Sequence, residues 1–368
     1  PGGEALWSMI IGSPGFDTIH SITEAPDGSI YIAGTFCQNY NLLCTISVGD
    51  QTHQSNGGAD VMIAKLSAQG DVLWSKSFGS GSSDTDMWNS WYSLNQKGIV
   101  ATPDGGILMS GYGCDGWNSN CMMTIAPGYS VANHNPFIVK YDQNGTVERL
   151  STMSGAAADY LQVMVEVDDH RVLVAGNHFS STLVAGDFSV FNSGGSDAWY
   201  AVFNHTSWEY EGLWDSKTDG NEVFHSAVVT PEGHFILGGT QCWGNEGSDC
   251  PVMFEGADGM QMTRERNSEQ AEGFLMLHNT DWGSIEWMRG IESNGAGVSP
   301  LGDLAISPSG NIAANFPVCV TDNNTGCSAG VGTDEYTGVE NATLIYQITF
   351  DGDADGVYDA FDQCLESP

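Results

Sequence analysis

The 368-residue chain carries 46 acidic and only 10 basic side chains, and its formal net charge is −36 at pH 7. This balance opposes binding to nucleic acid and to anionic lipid, because both require clustered Lys and Arg. No stretch approaches the roughly 18 consecutive apolar residues of a membrane-spanning helix, so we expect no direct insertion into a membrane.

A short sequence unit recurs along the chain. Its clearest copy is Pro26–Thr35 (PDGSIYIAGT), in which a turn of the Asp-Gly type leads into an apolar run that ends at small residues. The equivalents of Gly28 fall at positions 105, 170, 233 and 310, so the spacings are 77, 65, 63 and 77 residues. A supersecondary unit that recurs at such a period indicates a repeat architecture.

Each copy belongs to a unit of about four short strands, separated by turns rich in Gly, Asp and Ser. Units of this kind without helical periodicity indicate an all-β fold, a β-propeller with four-stranded blades. The blades are predicted at about 13–79, 84–153, 156–217, 220–292 and 295–350. The fourth contains an insertion at 251–272 between its second and third strands, and the fifth stops one strand short.

The N-terminal segment Ala5–Ile11 (ALWSMII) is equivalent to the last strand of a unit, such as Val72–Phe78. We therefore predict a five-bladed β-propeller over residues 1–350, in which this strand completes the last blade and leaves no open sheet edge. In the alternative, the strand joins the last blade of a neighbouring molecule, which would build a polymer.

The cysteines indicate the compartment. Eight of the nine form close pairs, each just beyond the repeated strand: Cys37/Cys44, Cys114/Cys121, Cys242/Cys250 and Cys319/Cys327. A zinc site would require shorter spacing and two converging pairs, so we predict local disulfides and an extracellular environment. Four N-x-S/T sequons agree with a secreted glycoprotein: Asn144, Asn204, Asn323 and Asn341.

The first unit reads PDGSIYIAGT, a loop, GGADVMIAKL and DVLWSKSFG, and its GGxD turn recurs as Gly194–Asp197. Together with a GxxxD element between units, these motifs resemble the SBBP-type β-propeller repeat of secreted and cell-surface proteins over residues 5–350. The second and fourth units depart from the turn, with Asn133–Pro136 and Ala271–Gly273 in its place. The resemblance implies an extracellular or cell-surface location, and it transfers no catalytic residue because the family has no established ones.

The tail from residue 351 to 364 carries oxygen ligands at positions 1, 3, 5, 9 and 12, with Gly356 at position 6 and the Val357 carbonyl at position 7. A loop that binds a hard cation such as Ca2+ has this spacing, although position 12 is Asp rather than the usual Glu. Its ending, DxxDxC, resembles a thrombospondin type 3 repeat. We predict a calcium-binding linker over 351–368, against the alternative of a disordered acidic tail, with these ligands: Asp351, Asp353, Asp355, Val357, Asp359 and Asp362.

A second candidate site lies on the first strand of each unit. Because these strands line the central channel of a propeller, polar side chains at equivalent places would form a ring able to bind a small anion or a metal. The alternative is a set of ordinary water-facing channel residues. The ring positions are eight residues before each turn position: His20, Lys97, Gln162 and His225.

The recurrent tryptophans are expected to pack between blades, because they occupy equivalent places within strands. These are Trp7, Trp74, Trp214 and Trp287. Four others fall in loops, where stacking on sugars is more plausible: Trp88, Trp91, Trp117 and Trp243.

The sequence contains no G-x-S-x-G or H-E-x-x-H motif. We expect an extracellular structural or adhesive module that presents loops to protein, to glycan or to copies of itself. One alternative is a propeller-fold polysaccharide hydrolase or lyase with a site at the channel mouth. A second is a subunit of a surface filament assembled by strand donation.

Overall fold

The computed structural model describes residues 4–38, 43–81, 98–113, 121–231, 233–241, 250–256, 259–265, 272–279, 284–290, 292–294, 303–307, 312–318, 328–331, 334–337 and 342–348. Over these residues the protein is all-β, as predicted from the sequence. None of the described residues belongs to a helix of the length and apolarity that a membrane span requires.

The first repeat contains six strands: β1 (Phe16–Glu24), β2 (Ile30–Gln38), β3 (Thr45–Val48), β4 (Gln51–Gln54), β5 (Asp60–Leu66) and β6 (Val72–Phe78). Four of them form an antiparallel sheet in the order β1-β2-β5-β6. The other two, β3 and β4, pair as a separate hairpin. The hairpin thus lies between the second and third strands of the sheet along the chain.

The next three repeats follow the same plan. The second comprises β7 (Ile99–Ala101), β8 (Ile107–Tyr112), β9 (Met122–Ala126), β10 (Tyr129–Ala132), β11 (Pro136–Tyr141) and β12 (Val147–Thr152). The third comprises β13 (Asp159–Asp168), β14 (Arg171–His178), β15 (Thr182–Ala185), β16 (Phe188–Phe191), β17 (Asp197–Asn204) and β18 (Glu209–Asp215). The fourth comprises β19 (Val223–Val229), β20 (Phe235–Gln241), β21 (Val252–Glu255), β22 (Gln261–Arg264), β23 (Glu272–His278) and β24 (Ile285–Gly290). Their sheets have the orders β7-β8-β11-β12, β13-β14-β17-β18 and β19-β20-β23-β24.

The fifth repeat differs in its described strands, which are β25 (Glu292–Asn294), β26 (Asp303–Ile306), β27 (Ile312–Val318), β28 (Ser328–Val331), β29 (Asp334–Thr337) and β30 (Ala342–Ile348). Its sheet has three strands in the order β26-β27-β30, where the other repeats have four. A second three-stranded sheet has the order β25-β28-β29. Residues beyond 348, where a fourth strand of this sheet would follow, lie outside the described residues, so the predicted lack of one strand stays a prediction.

The inserted hairpins are the main element that the sequence did not predict. The first was expected to belong to a loop, and the fourth to an insertion at 251–272 with no predicted strands. The residues of β3 alternate between exposed and buried, and half of them are polar. The strand therefore lacks the continuous apolar run by which the other strands were predicted. The chain reverses at glycines such as Gly49, Gly128 and Gly186, whose φ angles of 57°, 87° and 58° favour glycine.

Central strands of the first, second and fourth sheets are mostly apolar because both of their faces are covered. All residues of β5, β8, β20 and β23 are buried. A strand buried on one face alone would instead alternate apolar and polar residues. Each sheet therefore needs a neighbour on both sides.

The first two sheets bury their apolar side chains in one common cluster, which includes Tyr31 and Ile63 of the first and Ile107 and Tyr141 of the second. Trp74 on β6 packs against this cluster. Its indole Nε1 donates to the Gln143 carbonyl at 3.0 Å, in the turn between β11 and β12. These contacts agree with the expected packing of the recurrent tryptophans.

The contact made by Trp74 recurs at equivalent positions. The Trp7 indole donates to the Ala68 carbonyl at 3.0 Å, in the turn between β5 and β6. Arg149 on β12 lies over the Trp208 ring at 5.6 Å, in the turn between β17 and β18. In each case a side chain at the position of a repeat's fourth strand contacts the following repeat. The contact lies in the turn between the third and fourth strands of that repeat's sheet.

A backbone contact repeats in the same register. Gly12, Gly79 and Ser154 each lie five residues beyond Trp7, Trp74 and Arg149 respectively, and each forms an antiparallel bridge to the hairpin of the following repeat. Their bridge partners are Ser47, Thr124 and Val184. The N-terminal segment thus contacts the first repeat as a fourth strand contacts the repeat that follows it.

The predicted strand Ala5–Ile11 requires a correction. Within the described residues this segment has no strand assignment, and its first ladder contact is the bridge at Gly12. A strand requires a hydrogen-bonded neighbour, and the segment instead contacts the first repeat through side chains such as Trp7 and Met9.

The chain divides into two compact units. The first comprises 1–174, 178–191 and 203–211, and the second comprises 175–177, 192–202 and 212–368.

Trp74→Ala should lower the free energy of unfolding in a urea titration by about 2 to 3 kcal/mol, because it removes an indole that packs between the first two sheets. Leu73→Ala is the matched control, since Leu73 is the exposed neighbour on the same strand. It should change the free energy by less than about 0.5 kcal/mol. Equal effects of the two substitutions would contradict the packing role of Trp74.

Candidate functional site

The predicted disulfide between Cys37 and Cys44 is present, with the two Cα atoms 6.1 Å apart. Cys121 and Cys250 are also disulfide-bonded. Their predicted partners, Cys114 and Cys242, lie outside the described residues, so these pairings stay predictions. The same holds for Cys319 and Cys327.

A carboxylate near the start of the first strand holds the chain at the end of the second strand. Asp17 accepts hydrogen bonds from Ser13 N at 2.6 Å and from Cys37 N at 3.1 Å. The equivalent Asp159, which is fully buried, accepts from Phe179 N at 3.2 Å and from Ser180 N at 3.1 Å. Both carboxylates therefore have a structural role, and the one at Asp159 belongs to the GxxxD sequence Gly155–Asp159.

A second buried carboxylate opens the third strand. Asp60 accepts a hydrogen bond from Asn56 N at 2.8 Å. Asp197 accepts one from Ser193 N at 2.7 Å. Both carboxylates belong to GGxD turns and accept from the backbone four residues earlier. This geometry explains why the motif recurs: it fixes the junction between hairpin and sheet.

The fourth repeat, which lacks the GGxD turn, has Glu272 in the equivalent place. Its carboxylate accepts from Arg264 Nη2 at 2.9 Å, and Arg264 Nη1 donates to Gln241 Oε1 at 2.5 Å. All three side chains are buried, so this ion pair attaches the hairpin strand β22 to the sheet.

The described members of the predicted channel ring lie on the first strands of their sheets. His20 is on β1, Gln162 is on β13 and His225 is on β19, while Lys97 lies outside the described residues. The pairing register shifts between Ile19 and Ser21, and again between Phe224 and Ser226. Each histidine is thus the extra residue of a β-bulge, a feature that redirects a side chain.

The two histidines have the same partner. His20 Nε2 lies 3.0 Å from Thr35 Oγ1, and His225 Nε2 lies 2.9 Å from Thr240 Oγ1. Burial lowers the pKa of both imidazoles from 6.5 to about 4. At neutral pH they are therefore uncharged hydrogen-bonding groups, which gives them no charge with which to attract an anion.

One pair resembles a nucleophile and a general base. His53 Nε2 lies 2.6 Å from Ser75 Oγ. However, Gln51 Oε1 accepts from Ser75 Oγ at 2.8 Å and from Ser75 N at 2.9 Å. Because Ser75 is buried, these bonds serve to hold the hairpin strand β4 against β6, and they give no support to the hydrolase hypothesis.

The two described sequons differ in their surroundings. Asn144 is exposed in the turn between β11 and β12. Asn204 Nδ2 donates to Glu211 Oε1 at 2.8 Å, and its Oδ1 accepts from Thr206 N at 3.0 Å. The sequons at Asn323 and Asn341 lie outside the described residues.

The predicted calcium ligands from Asp351 to Asp362 also lie outside the described residues, as do the loop tryptophans Trp88, Trp91, Trp117 and Trp243. Calcium binding and sugar stacking at these positions stay predictions.

No protein-family model matches the chain, and the comparison with curated proteins also finds no match. The SBBP-type and thrombospondin-type resemblances therefore stay predictions.

His225 should make stability depend on pH between about 6.5 and 4. As pH falls through this window, the unfolded chain binds a proton that the folded chain excludes, so the free energy of unfolding decreases by on the order of 3 kcal/mol. The free energy of unfolding is measured by urea titration at each pH. His225→Gln should remove its decrease between about pH 6.5 and 4.

His170→Gln is the matched control, because His170 also lies beside a threonine hydroxyl, Thr206 Oγ1, but is exposed. Its curve should follow the wild type. If His225→Gln also follows the wild type, the buried neutral imidazole is not responsible for the pH dependence.

Proposed function

We propose that this chain is a secreted or cell-surface β-propeller of five blades that acts as a structural or adhesive module. The observation that carries the proposal is the repeated plan. Each of the first four repeats adds a hairpin between the second and third strands of a four-stranded sheet. Disulfides, buried carboxylates or a buried ion pair attach these hairpins, so variable residues are presented on a fixed frame.

The exposed face of the first sheet supports a closed ring. Ile19 and Ile22 on β1 are 44% and 67% exposed. Their equivalents Leu161 and Met164 on β13 are buried. Equivalent apolar positions require equivalent cover, because an exposed apolar patch on one repeat alone is unfavourable. In the proposed ring, the three-stranded fifth sheet supplies this cover.

The register of the proposed closure follows from the first repeat. There, β2 places Ile30 opposite Leu66 on β5, and β5 places Lys65 opposite Trp74 on β6. The fifth repeat places Ile312 opposite Ile348 in the same way. Transfer of the pattern puts Trp7 opposite Gln347, with Ser8 opposite Tyr346.

The same uncovered face favours a second candidate. If the N-terminal segment completes the last blade of a neighbouring molecule, the chain is a subunit of a surface filament. Both arrangements satisfy the same contacts, and they differ only in which copy supplies the strand.

The other features of the proposal concern the environment. We propose local disulfides at all four cysteine pairs, glycosylation at the sequons, and Ca2+ bound by Asp351, Asp353, Asp355, Val357, Asp359 and Asp362 in a linker over 351–368. The net charge of −36 supports a partner that is neutral or basic rather than nucleic acid or anionic lipid.

Beads coated with the full chain should test the adhesive role. We expect them to attach to surfaces that carry extracellular protein or polysaccharide, or to one another, more strongly than beads coated with serum albumin. If the calcium-binding linker over 351–368 sets the distance between the propeller and the bead, a calcium chelator should weaken attachment. The same polysaccharides are assayed for release of reducing sugar.

Attachment no better than that of albumin on every surface would overturn the proposal. Release of reducing sugar by the purified chain would instead support the polysaccharide hydrolase.

A further inference from the structure

The third repeat lacks the cysteine-bounded loop that the other four carry. It passes from β14 to β15 through Phe179, Ser180 and Ser181 alone. Phe179 lies nine residues beyond the turn position at 170, and at this place each other repeat has the first cysteine of its pair: Cys37, Cys114, Cys242 and Cys319.

The missing loop coincides with an exposed aromatic side chain. Cys37 is fully buried in the first repeat, whereas Phe179 is 47% exposed. The Phe179 ring lies 6.2 Å from Tyr160 at an angle of 82°, and the Tyr160 ring lies 4.8 Å from Tyr112 at 83°. We call these three side chains the aromatic row.

The aromatic row stands on a rigid base. The backbone of Phe179 donates to the Ala158 carbonyl at 3.1 Å and to Asp159 Oδ1 at 3.2 Å. Ser180 Oγ donates to Asp159 Oδ2 at 2.7 Å and accepts from Ala157 N at 2.8 Å. These bonds fix the backbone of Phe179, and its ring packs against Tyr160, so the segment loses little freedom when a ligand binds, which favours affinity.

The surroundings of the row are polar. The linker between β10 and β11 borders it through hydrogen bonds from Asp159 N to the His134 carbonyl at 3.1 Å and from Gly155 N to Asn135 Oδ1 at 3.2 Å. The nearest carboxylate on this base, Asp159, is fully buried and accepts hydrogen bonds from the Phe179–Ser180 segment. This edge therefore presents an aromatic ring beside amide and carbonyl groups, with that charge withdrawn from solvent.

We propose that the exposed Phe179 end of the aromatic row, in which Tyr112 is buried, binds a neutral carbohydrate chain. The proposal rests on the proposed adhesive function and names the partner class. A pyranose ring has an apolar C–H face that packs on an exposed aromatic ring and hydroxyl groups that bond to amides and carbonyls. The net charge of −36 opposes acidic polysaccharides, so the geometry points to uncharged ones.

Affinity electrophoresis of the full chain through gels containing dextran, galactomannan or mixed-linkage β-glucan tests the proposal. At least one of these should retard the wild type. Phe179→Ala should weaken that binding about tenfold, while Phe179→Trp should retain it. Phe191→Ala is the matched control, because Phe191 on β16 of the same repeat is 63% exposed, and this variant should bind like the wild type.

Three outcomes would overturn the proposal: no retardation of the wild type in any gel, unchanged binding by Phe179→Ala, or equal losses in Phe179→Ala and Phe191→Ala. Thermal unfolding confirms that each variant is folded. If no polysaccharide gel retards the wild type while wild-type beads attach to protein or to one another, the inference fails and the adhesive function stands. If wild-type beads attach to nothing, the proposed function itself fails.

Discussion

The structure depends on the need to cover both faces of each sheet. Central strands such as β5 and β20 are buried at every position and mostly apolar, so a sheet exposed on one side would leave a large hydrophobic surface in water. The first two sheets solve this by sharing one cluster, with Trp74 reaching across to the turn that contains Gln143. Trp7 and Arg149, at the positions equivalent to Trp74, also contact the corresponding turns, so contact at this place belongs to the repeat plan rather than to one pair of sheets.

Much of this plan could be predicted from the sequence. The turn glycines Gly28, Gly105 and Gly233 have φ angles of 77°, 80° and 92°, and it is their fixed place before an apolar run that makes the repeat visible. The apolar runs themselves indicate the central strands. For these reasons the four-stranded sheets of the first four repeats could be predicted from the sequence.

The hairpins and the role of the polar motifs were not accessible in the same way. Strands such as β4 (QTHQ) have no apolar residue, and their pairing depends on bonds like that between Gln51 and Ser75, which join residues 24 apart in sequence. The carboxylates of the GxxxD and GGxD elements read equally well as ligands or as structural groups. Their burial and backbone partners decide for the structural role.

The sheets and the hairpins have different roles in this structure. The sheets and their junctions are similar from repeat to repeat, while the segments that follow the second strands differ. Hairpins that are held by a disulfide, by Asp60 or by Glu272 can change their exposed residues without disturbing the sheet below. In the third repeat, which has no cysteine-bounded loop, Phe179 is exposed on a base held by the buried Asp159.

Closure of the ring is the central claim of this account, and a pair of introduced cysteines tests it most directly. Residues directly opposite in an antiparallel pair have Cα atoms about 4.5 to 5.5 Å apart, within disulfide range. The chain with Ser8→Cys and Tyr346→Cys is oxidised, and its disulfides are mapped by mass spectrometry of non-reduced peptides. Ser8→Cys with Ile345→Cys is the off-register control, because adjacent strand positions face opposite sides of a sheet.

The account predicts a disulfide between residues 8 and 346 within a single chain of monomeric mass, and none in the control. Absence of that disulfide, or its formation only between two chains, would contradict closure of the ring by the chain's own N-terminal segment.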